Sequence, residues 1–226
     1  LIPKVELPEN VTQFRPIACC NTLYKTLTKV LCARLNEILP DIINPTQSAF
    51  IKGRDIVGNV LICQDLIRMY GRGICSPRLL LKLDLHKAYD RVEWSFIDEI
   101  LKELGFPVRI QSLIMQCVSS PTYTFNINGE TFGFVEGKRG LRQGDPLSPL
   151  LFTLCIEYLS RLLELIQRSP SFSHHPMCKN LQLNHLCFAD DLILFSKGDL
   201  MSVKLLWFAF NCFSKASGLH MNKLKS

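Results

Sequence analysis

Apolar and polar positions change period several times along the chain, and each change marks an element. Between Asn21 and Leu39, Leu23, Leu27, Val30, Leu31, Leu35 and Ile38 recur at helical spacing. This predicts an amphipathic helix closed by Pro40, with Lys29 and Arg34 off its stripe. Residues 1–20 carry Pro3, Pro8 and Pro16 and predict loop and extended chain. A second helix is predicted over 57–69. The run 78–84, nearly all apolar and preceded by Pro77, predicts a strand ending on Asp84. Residues 85–93 lead into a helix reaching Leu104, which Gly105-Phe106-Pro107 ends, and 108–118 predicts another. Alternation over 122–127, then Asn128-Gly129, then 132–135 is a hairpin signal. After a break at 137–149 come a long apolar helix over 150–166, a polar loop over 169–180 and a last helix over 202–217.

The stretch Cys187-Phe188-Ala189-Asp190-Asp191 lies between two apolar runs, 180–186 and 192–196, and predicts a hairpin with its turn at the carboxylates. A charge in such strands is costly unless it is paired or bound to a metal. A flat strand would present only one of the two aspartates to a given face, whereas a tight turn keeps both near one point. An exposed Asp-Asp turn is the plain alternative. Asp84 changes the picture, because it is a second acidic strand end. Asp90, three residues before Glu93, has the spacing of a helix cap, but Asp84 has no such role. Carboxylates from different strands can bridge two Mg²⁺ ions about 3.5–4 Å apart. Mg²⁺ needs only a sparse carboxylate set when substrate phosphates complete its shell.

Two segments bring glycine and cations together. In 44–54, Gly53 lies between Lys52 and Arg54; in 137–149, Gly137, Gly140 and Gly144 accompany Lys138, Arg139 and Arg142. Glycines permit close backbone approach to a ligand, and cations suit phosphate. With 226 residues, 47% hydrophobic and 20% charged, the chain has material for one large domain or two subdomains sharing a core. A net charge of +6 is compatible with a polyanionic partner without demanding one. No signal peptide is evident, and no apolar run reaches the roughly 18 residues that would argue for a membrane span. The ten cysteines form no C-x-x-C pair and predict buried free thiols in a reducing compartment. His174, His175 and Cys178 predict a polar loop, with metal ligation as the alternative. The start at Leu1 and stop at Ser226 lead us to expect a piece of a longer polypeptide.

Six motifs follow one another nearly end to end: Arg15-Pro16-Ile17; residues 47–54, reading Gln-Ser-Ala-Phe-Ile-Lys-Gly-Arg; Leu83-Asp84 through Ala88-Tyr89-Asp90; residues 139–149; Phe188-Ala189-Asp190-Asp191; and Ser217-Gly218-Leu219 with Asn222 and Lys225. Singly they are weak, but in this order and with these gaps they are specific. The chain closely resembles the reverse transcriptase domain of LINE-type (non-LTR) retrotransposons, especially plant ones. The resemblance implies an α/β (α+β) right-hand polymerase fragment. Fingers would be 1–78 and 107–140 and the palm 79–106 and 141–226, with a small antiparallel palm sheet backed by helices and no thumb. It implies RNA-directed DNA synthesis, in which a primer 3′-hydroxyl attacks the α-phosphate of a dNTP and pyrophosphate leaves. The implied cofactors are two Mg²⁺ ions, with Mn²⁺ as a substitute, and the implied partners are an RNA template, a DNA primer and dNTPs.

The resemblance also assigns roles by position. Asp84 and Asp190 would be metal ligands, with Asp191 in support. Tyr89 would lie under the incoming sugar, and Gln143 and Gly144 would pack on nucleotide and template. Lys52 and Arg54 would meet the triphosphate, and Arg15 and Arg142 the template. Tyr89 as plain core and Arg15 or Arg54 as solvated charges stay open. The intact acidic positions favour an enzyme lineage over an inactive relic that only binds nucleic acid; a domesticated maturase-like polymerase stays open as another enzyme reading. A longer parent polyprotein with thumb and endonuclease regions is implied, as is an intracellular setting, nuclear and cytoplasmic, without a membrane.

Overall fold

Leucine-rich strands are drawn together from distant parts of the sequence. The computed structural model describes residues 1–68, 70, 76–127, 129–223 and 226; Met69, Cys75, Asn128 and Lys225, which figure in the expectations above, lie outside the described residues. The chain opens with a ribbon, β1 (Ile2–Pro3) against β2 (Phe14–Arg15), followed by α1 (Thr22–Ile42) and α2 (Val57–Arg68). Next come β3 (Arg78–Asp84), a short α3 (Ala88–Arg91), α4 (Trp94–Glu103) and α5 (Val108–Ser119). The hairpin β4 (Thr122–Ile127) and β5 (Glu130–Glu136) precedes α6 (Ser148–Gln167), β6 (His185–Phe188), β7 (Asp191–Lys197) and α7 (Leu200–Ser217).

The central sheet is antiparallel in the order β3-β7-β6. Strand parity divides its faces. Leu83, Leu192 and Leu194 join the main core with Ile97, Phe152, Leu159 and Phe213, which α4, α6 and α7 supply. Leu80, Ile193 and Phe195 pack instead with Leu66 of α2 and with Cys178 and Leu186. Both faces being covered explains why these strands read as continuous apolar runs. Helix α6 is the central prop, with Phe152, Cys155, Leu159 and Leu163 fully buried at helical spacing. Pro149 sits in its first turn, where a missing N–H costs nothing.

Several expectations are corrected. Helix α1 buries Thr28, Leu31, Cys32, Leu35 and Leu39, whereas Leu23 is 85% exposed and Leu27, Val30 and Ile38 also face outward. The chain has two apolar stripes here, and the docked one carries Tyr24, whose hydroxyl donates to Asp145 Oδ2 at 2.5 Å. Pro40 lies inside the last turn of α1 and does not close it. The Arg54 guanidinium ties off that helix end, donating to the carbonyls of Pro40, Ile43, Asn44 and Gln47 at 2.6–3.0 Å. Asp90 caps nothing: it lies in α3, and the N-cap of α4 is Glu93, without a side-chain bond. Residues 180–182 form turns and 183–184 are irregular, so β6 starts only at His185. The segment around His175 is not a solvated loop, since His175 and Cys178 are both buried and the His175 ring is T-shaped to Phe195. Among the described residues the cysteines are free; Cys32, Cys117, Cys155, Cys178 and Cys187 are buried and Cys19 is exposed.

Candidate active site

Register decides what the strand ends can do. Asp84 lies directly opposite Asp191, and Lys82 directly opposite Ile193. Opposed residues of an antiparallel pair share a face, as do residues two apart on one strand. Lys82, Asp84 and Asp191 therefore project from one face. Lys82 Nζ lies 3.0 Å from Asp191 Oδ1. Asp190 occupies a two-residue turn with Ala189, closed by the pair Phe188 and Asp191. The hairpin expected from the sequence is thus present, with Asp190 in the turn and Asp191 opening β7.

The Lys82 ammonium feels the charge of all three carboxylates. The hydrogen bond to Asp191 and the charge of Asp191 hold the Lys82 ammonium above its ordinary pKa; desolvation opposes them, and the charges of Asp84 and Asp190 add smaller contributions. The Tyr89 phenol is pushed up to about 12, mainly by burial and further by the charge of Asp190. Tyr89 thus borders the acidic turn while its ring stacks on Phe152, with centroids 5.0 Å apart. Asn222 returns the chain to this point: its backbone N–H donates to Asp84 O at 2.8 Å and its Nδ2 to Asp84 Oδ2 at 3.0 Å. Asp190 is exposed and makes no hydrogen bond or ion pair among the described residues.

The donor set suits a divalent cation that brings other ligands with it. Three carboxylates face one ammonium, so negative charge is in excess. Among the described residues, no group of three or more His, Cys, Asp or Glu side chains is arranged to hold a metal unaided. Asp191 is tied to Lys82, and one oxygen of Asp84 to Asn222. Asp84 and Asp190 remain as a sparse pair of the kind Mg²⁺ uses with substrate phosphates.

The glycine-rich turn is built against its own chain. Gly140 N–H donates to Val92 O at 2.8 Å, Leu141 N–H to Tyr89 O at 2.6 Å, and Trp94 Nε1 to Gly140 O at 2.8 Å. A Cβ at Gly140 would come within 2.8 Å of Asp90 O, and Gly140 has φ +87°. The close approach expected toward a ligand is spent here on docking to α3. Gly144 (φ +106°) does the same against Ala18 O, and Gln143 O accepts from Ala18 N–H at 2.9 Å. Gln143 Nε2 donates to Asp90 Oδ1 at 3.2 Å. Gln143 then lines a cleft of about 900 Å³ together with Ile17, Tyr24, Tyr123, Phe125 and Arg139.

The cations expected at nucleic acid divide into two groups. Arg54 is committed to four carbonyls, as described. Arg142 also turns inward: its side chain is 11% exposed, lies 3.3 Å from Asp145, bonds Cys117 O at 2.6 Å and stacks 4.0 Å over the Tyr24 ring, whose hydroxyl it also contacts. Lys52 and Arg15 remain exposed. Lys82, Asn222 and Gln47 bear on the acidic turn although sequence reasoning gave them no role. For Lys82 the signal was its position two residues before Asp84, on the same face.

Behind the hairpin lies a fully buried polar chain. Asn184 Nδ2 donates to Leu163 O at 2.7 Å, so its Oδ1 accepts from His185 Nδ1–H at 2.7 Å. His185 Nε2 therefore accepts from the Thr46 hydroxyl, also at 2.7 Å. Burial pushes the His185 pKa down to about 3, keeping it neutral in this role.

Comparison with known proteins extends these observations. The family model described as reverse transcriptase (RNA-dependent DNA polymerase) matches residues 2–226. A Xenopus laevis protein, the transposon TX1 uncharacterized 149 kDa protein, is 28% identical over the whole chain, which spans 17% of its length. A retrovirus-related Pol polyprotein from an R2 retrotransposable element of Popillia japonica is 29% identical, again over the whole chain and 31% of its own length. The chain thus spans less than a third of either relative. Telomerase from Candida tropicalis, solved with a fragment of telomeric RNA, shares the fold with a TM-score of 0.59 at 13% identity, covering 90% of this chain and 33% of that one.

Proposed function

Because the chain belongs to the reverse transcriptase (RNA-dependent DNA polymerase) family, of the non-LTR retrotransposon type, we propose that it copies RNA into DNA by adding dNTPs to a primer 3′-hydroxyl. The observation that carries the reading is the register pairing of Asp84 with Asp191, which brings both acidic strand ends and Asp190 to one ammonium. Asp84 and Asp190, supported by Asp191, would hold two Mg²⁺ ions, or Mn²⁺ in their place. When bound, such ions offset triphosphate charge and make the primer hydroxyl easier to deprotonate. The residues of the chain do the rest. Tyr89, stacked on Phe152 beside Asp190, would lie under the sugar and crowd a 2′-hydroxyl. Gln143 and Gly144, fixed on Asp90 and Ala18, would pack on nucleotide and template. Lys52 would reach the triphosphate and Arg15 the template, both from exposed positions. Arg54 and Arg142 would support these loops from behind.

In this reading 79–106 and 141–226 form the palm, and 1–78 with 107–140 the fingers. The domain would act within a longer polyprotein carrying thumb and endonuclease regions, inside the cell, in nucleus and cytoplasm; no helix among the described residues is long and apolar enough to cross a membrane. Primer extension on an RNA template by the full-length protein tests the assignment. Asp84→Asn and Asp190→Asn are each expected to lower kcat by about a thousandfold or more, with primer–template affinity, which rests on phosphate contacts, largely retained. Near-normal extension by Asp190→Asn would sink it.

A further inference from the structure

Asp190 has no side-chain bond among the described residues, so its placement depends on the turn that carries it. Ala189, the other turn residue, has φ +55°, the left-handed region that a side chain with a Cβ resists. One buried side chain sits at this strained point. Gln47 is 1% exposed, and its Oε1 accepts from Ala189 N–H at 3.2 Å and from Ala49 N–H at 3.0 Å.

The backbone of Gln47 is itself anchored to the same hairpin. Cys187 N–H donates to Thr46 O at 3.0 Å and Ser48 N–H to Cys187 O at 3.2 Å, so residues 46–48 lie beside β6 as a parallel bridge. The Thr46 bond to His185 and the Asn59 Nδ2 bond to Cys187 O at 3.0 Å tighten the attachment. The amide is thus held at a fixed distance from Ala189. Its Nε2, however, is buried without a hydrogen-bond partner among the described residues. A methionine of similar length would fill the space without an orphaned donor, so packing alone does not account for glutamine here. The oxygen, with its two bonds, does.

We propose that Gln47 is a positioning residue of the polymerase site: by holding Ala189 N–H it keeps the turn left-handed and presents Asp190 beside Asp84. The proposal rests on the polymerase reading and deepens it, giving the segment 47–54 a task at the carboxylates as well as at the triphosphate.

Two measurements on the full-length protein test it. Site-resolved amide exchange is expected to show Ala189 N–H protected, exchanging about tenfold faster in Gln47→Met. A freely exchanging Ala189 amide in the unaltered protein would overturn the proposal, whether or not any variant folds or any primer is extended. In steady-state extension, Gln47→Met is expected to lower kcat about tenfold or more with KM for dNTP within about twofold, the signature of a misplaced catalytic group. Adding Ala189→Gly, which removes the Cβ penalty in the left-handed region, is expected to recover most of that kcat. An unchanged kcat, or a loss that Ala189→Gly does not recover, overturns it. If the unaltered protein extends no primer, the polymerase reading falls, and the exchange result still decides whether Gln47 holds the turn.

Discussion

The acidic face at the ends of β3 and β7 and the polar lattice beneath the glycine turn use the same chemistry to opposite ends. In the lattice, Arg142, Asp145 and Tyr24 satisfy one another out of water, and every contact is internal. On the acidic face, Lys82 and Asp191 pair in solvent while Asp190 is left bare. The division follows side-chain geometry. A guanidinium offers five donors in a planar fork, which suits a cluster of carbonyls and a carboxylate; an ammonium is a point charge on a flexible stem and is easily traded for another cation. Arginine has been spent on architecture, and lysine is kept where charge must be exchangeable.

Breaking the lattice should therefore cost stability above all. Arg142→Leu leaves Asp145, whose side chain is 4% exposed, as an uncompensated buried charge, and about 3 kcal/mol of folding free energy should be lost. Urea denaturation followed by circular dichroism would measure it; a loss no larger than that of a surface change would mean the lattice is hydrated in solution.

A second test concerns the neutral histidine behind the hairpin. The folded-state pKa of His185, about 3, lies below its ordinary 6.5. Between these values the unfolded chain binds a proton that the folded one refuses, so stability is intact above about 6.5 and falls as pH drops toward 3. The slope reaches at most about 1.4 kcal/mol per pH unit. His185→Gln should flatten that part of the curve, and matched urea titrations at successive pH values would show it. Parallel curves for the two proteins would contradict the buried neutral tautomer.

Tyr89 stands on the border between the two regions, its ring against Phe152 and its phenol within the field of Asp190. Tyr89→Val should raise the efficiency of ribonucleotide relative to deoxyribonucleotide addition by about tenfold, the scale of steric discrimination in a pocket. Competition assays with paired substrates read that ratio directly, and an unmoved ratio would assign the ring to packing alone. Lys82 should give the smallest effect. Because its pair with Asp191 is exposed, Lys82→Met should change folding stability by less than about 1 kcal/mol. It should tighten Mn²⁺ binding about threefold, since an ammonium no longer competes for the carboxylates. Calorimetric titration with Mn²⁺ decides: weaker binding in Lys82→Met would mean that the lysine orders the site and does not compete for it.

Legibility in the sequence followed the range of the interaction. Strand β3 and the Asp190 turn were readable because a short apolar run and an acidic break are local signals. The docked face of α1 was not, since Leu23 and Leu31 look alike locally and the partners that select one side, the main core and the Asp145–Arg142 pair at Tyr24, come from distant parts of the chain. The inward turns of Arg54 and Arg142 were hidden for a related reason: long side chains reach carbonyls on other elements, and a cation beside glycine in sequence says nothing of where its donors end. Gln47 was visible only as part of a motif, because its partner, Ala189, lies in another strand connection.

The pairing of Asp84 with Asp191 has a consequence for the chain while it is being made. β3 leaves the ribosome as a stretch of leucines whose strand partner follows only after residue 190, and until then its hydrogen-bonding groups have no neighbour in the sheet. A nascent apolar strand with open edges is a template for pairing with the wrong chain. The protein should therefore depend on chaperones during synthesis far more than its finished core suggests, with one of the two open edges of β3 closing only when β7 pairs with it and Asn222 comes to rest on Asp84.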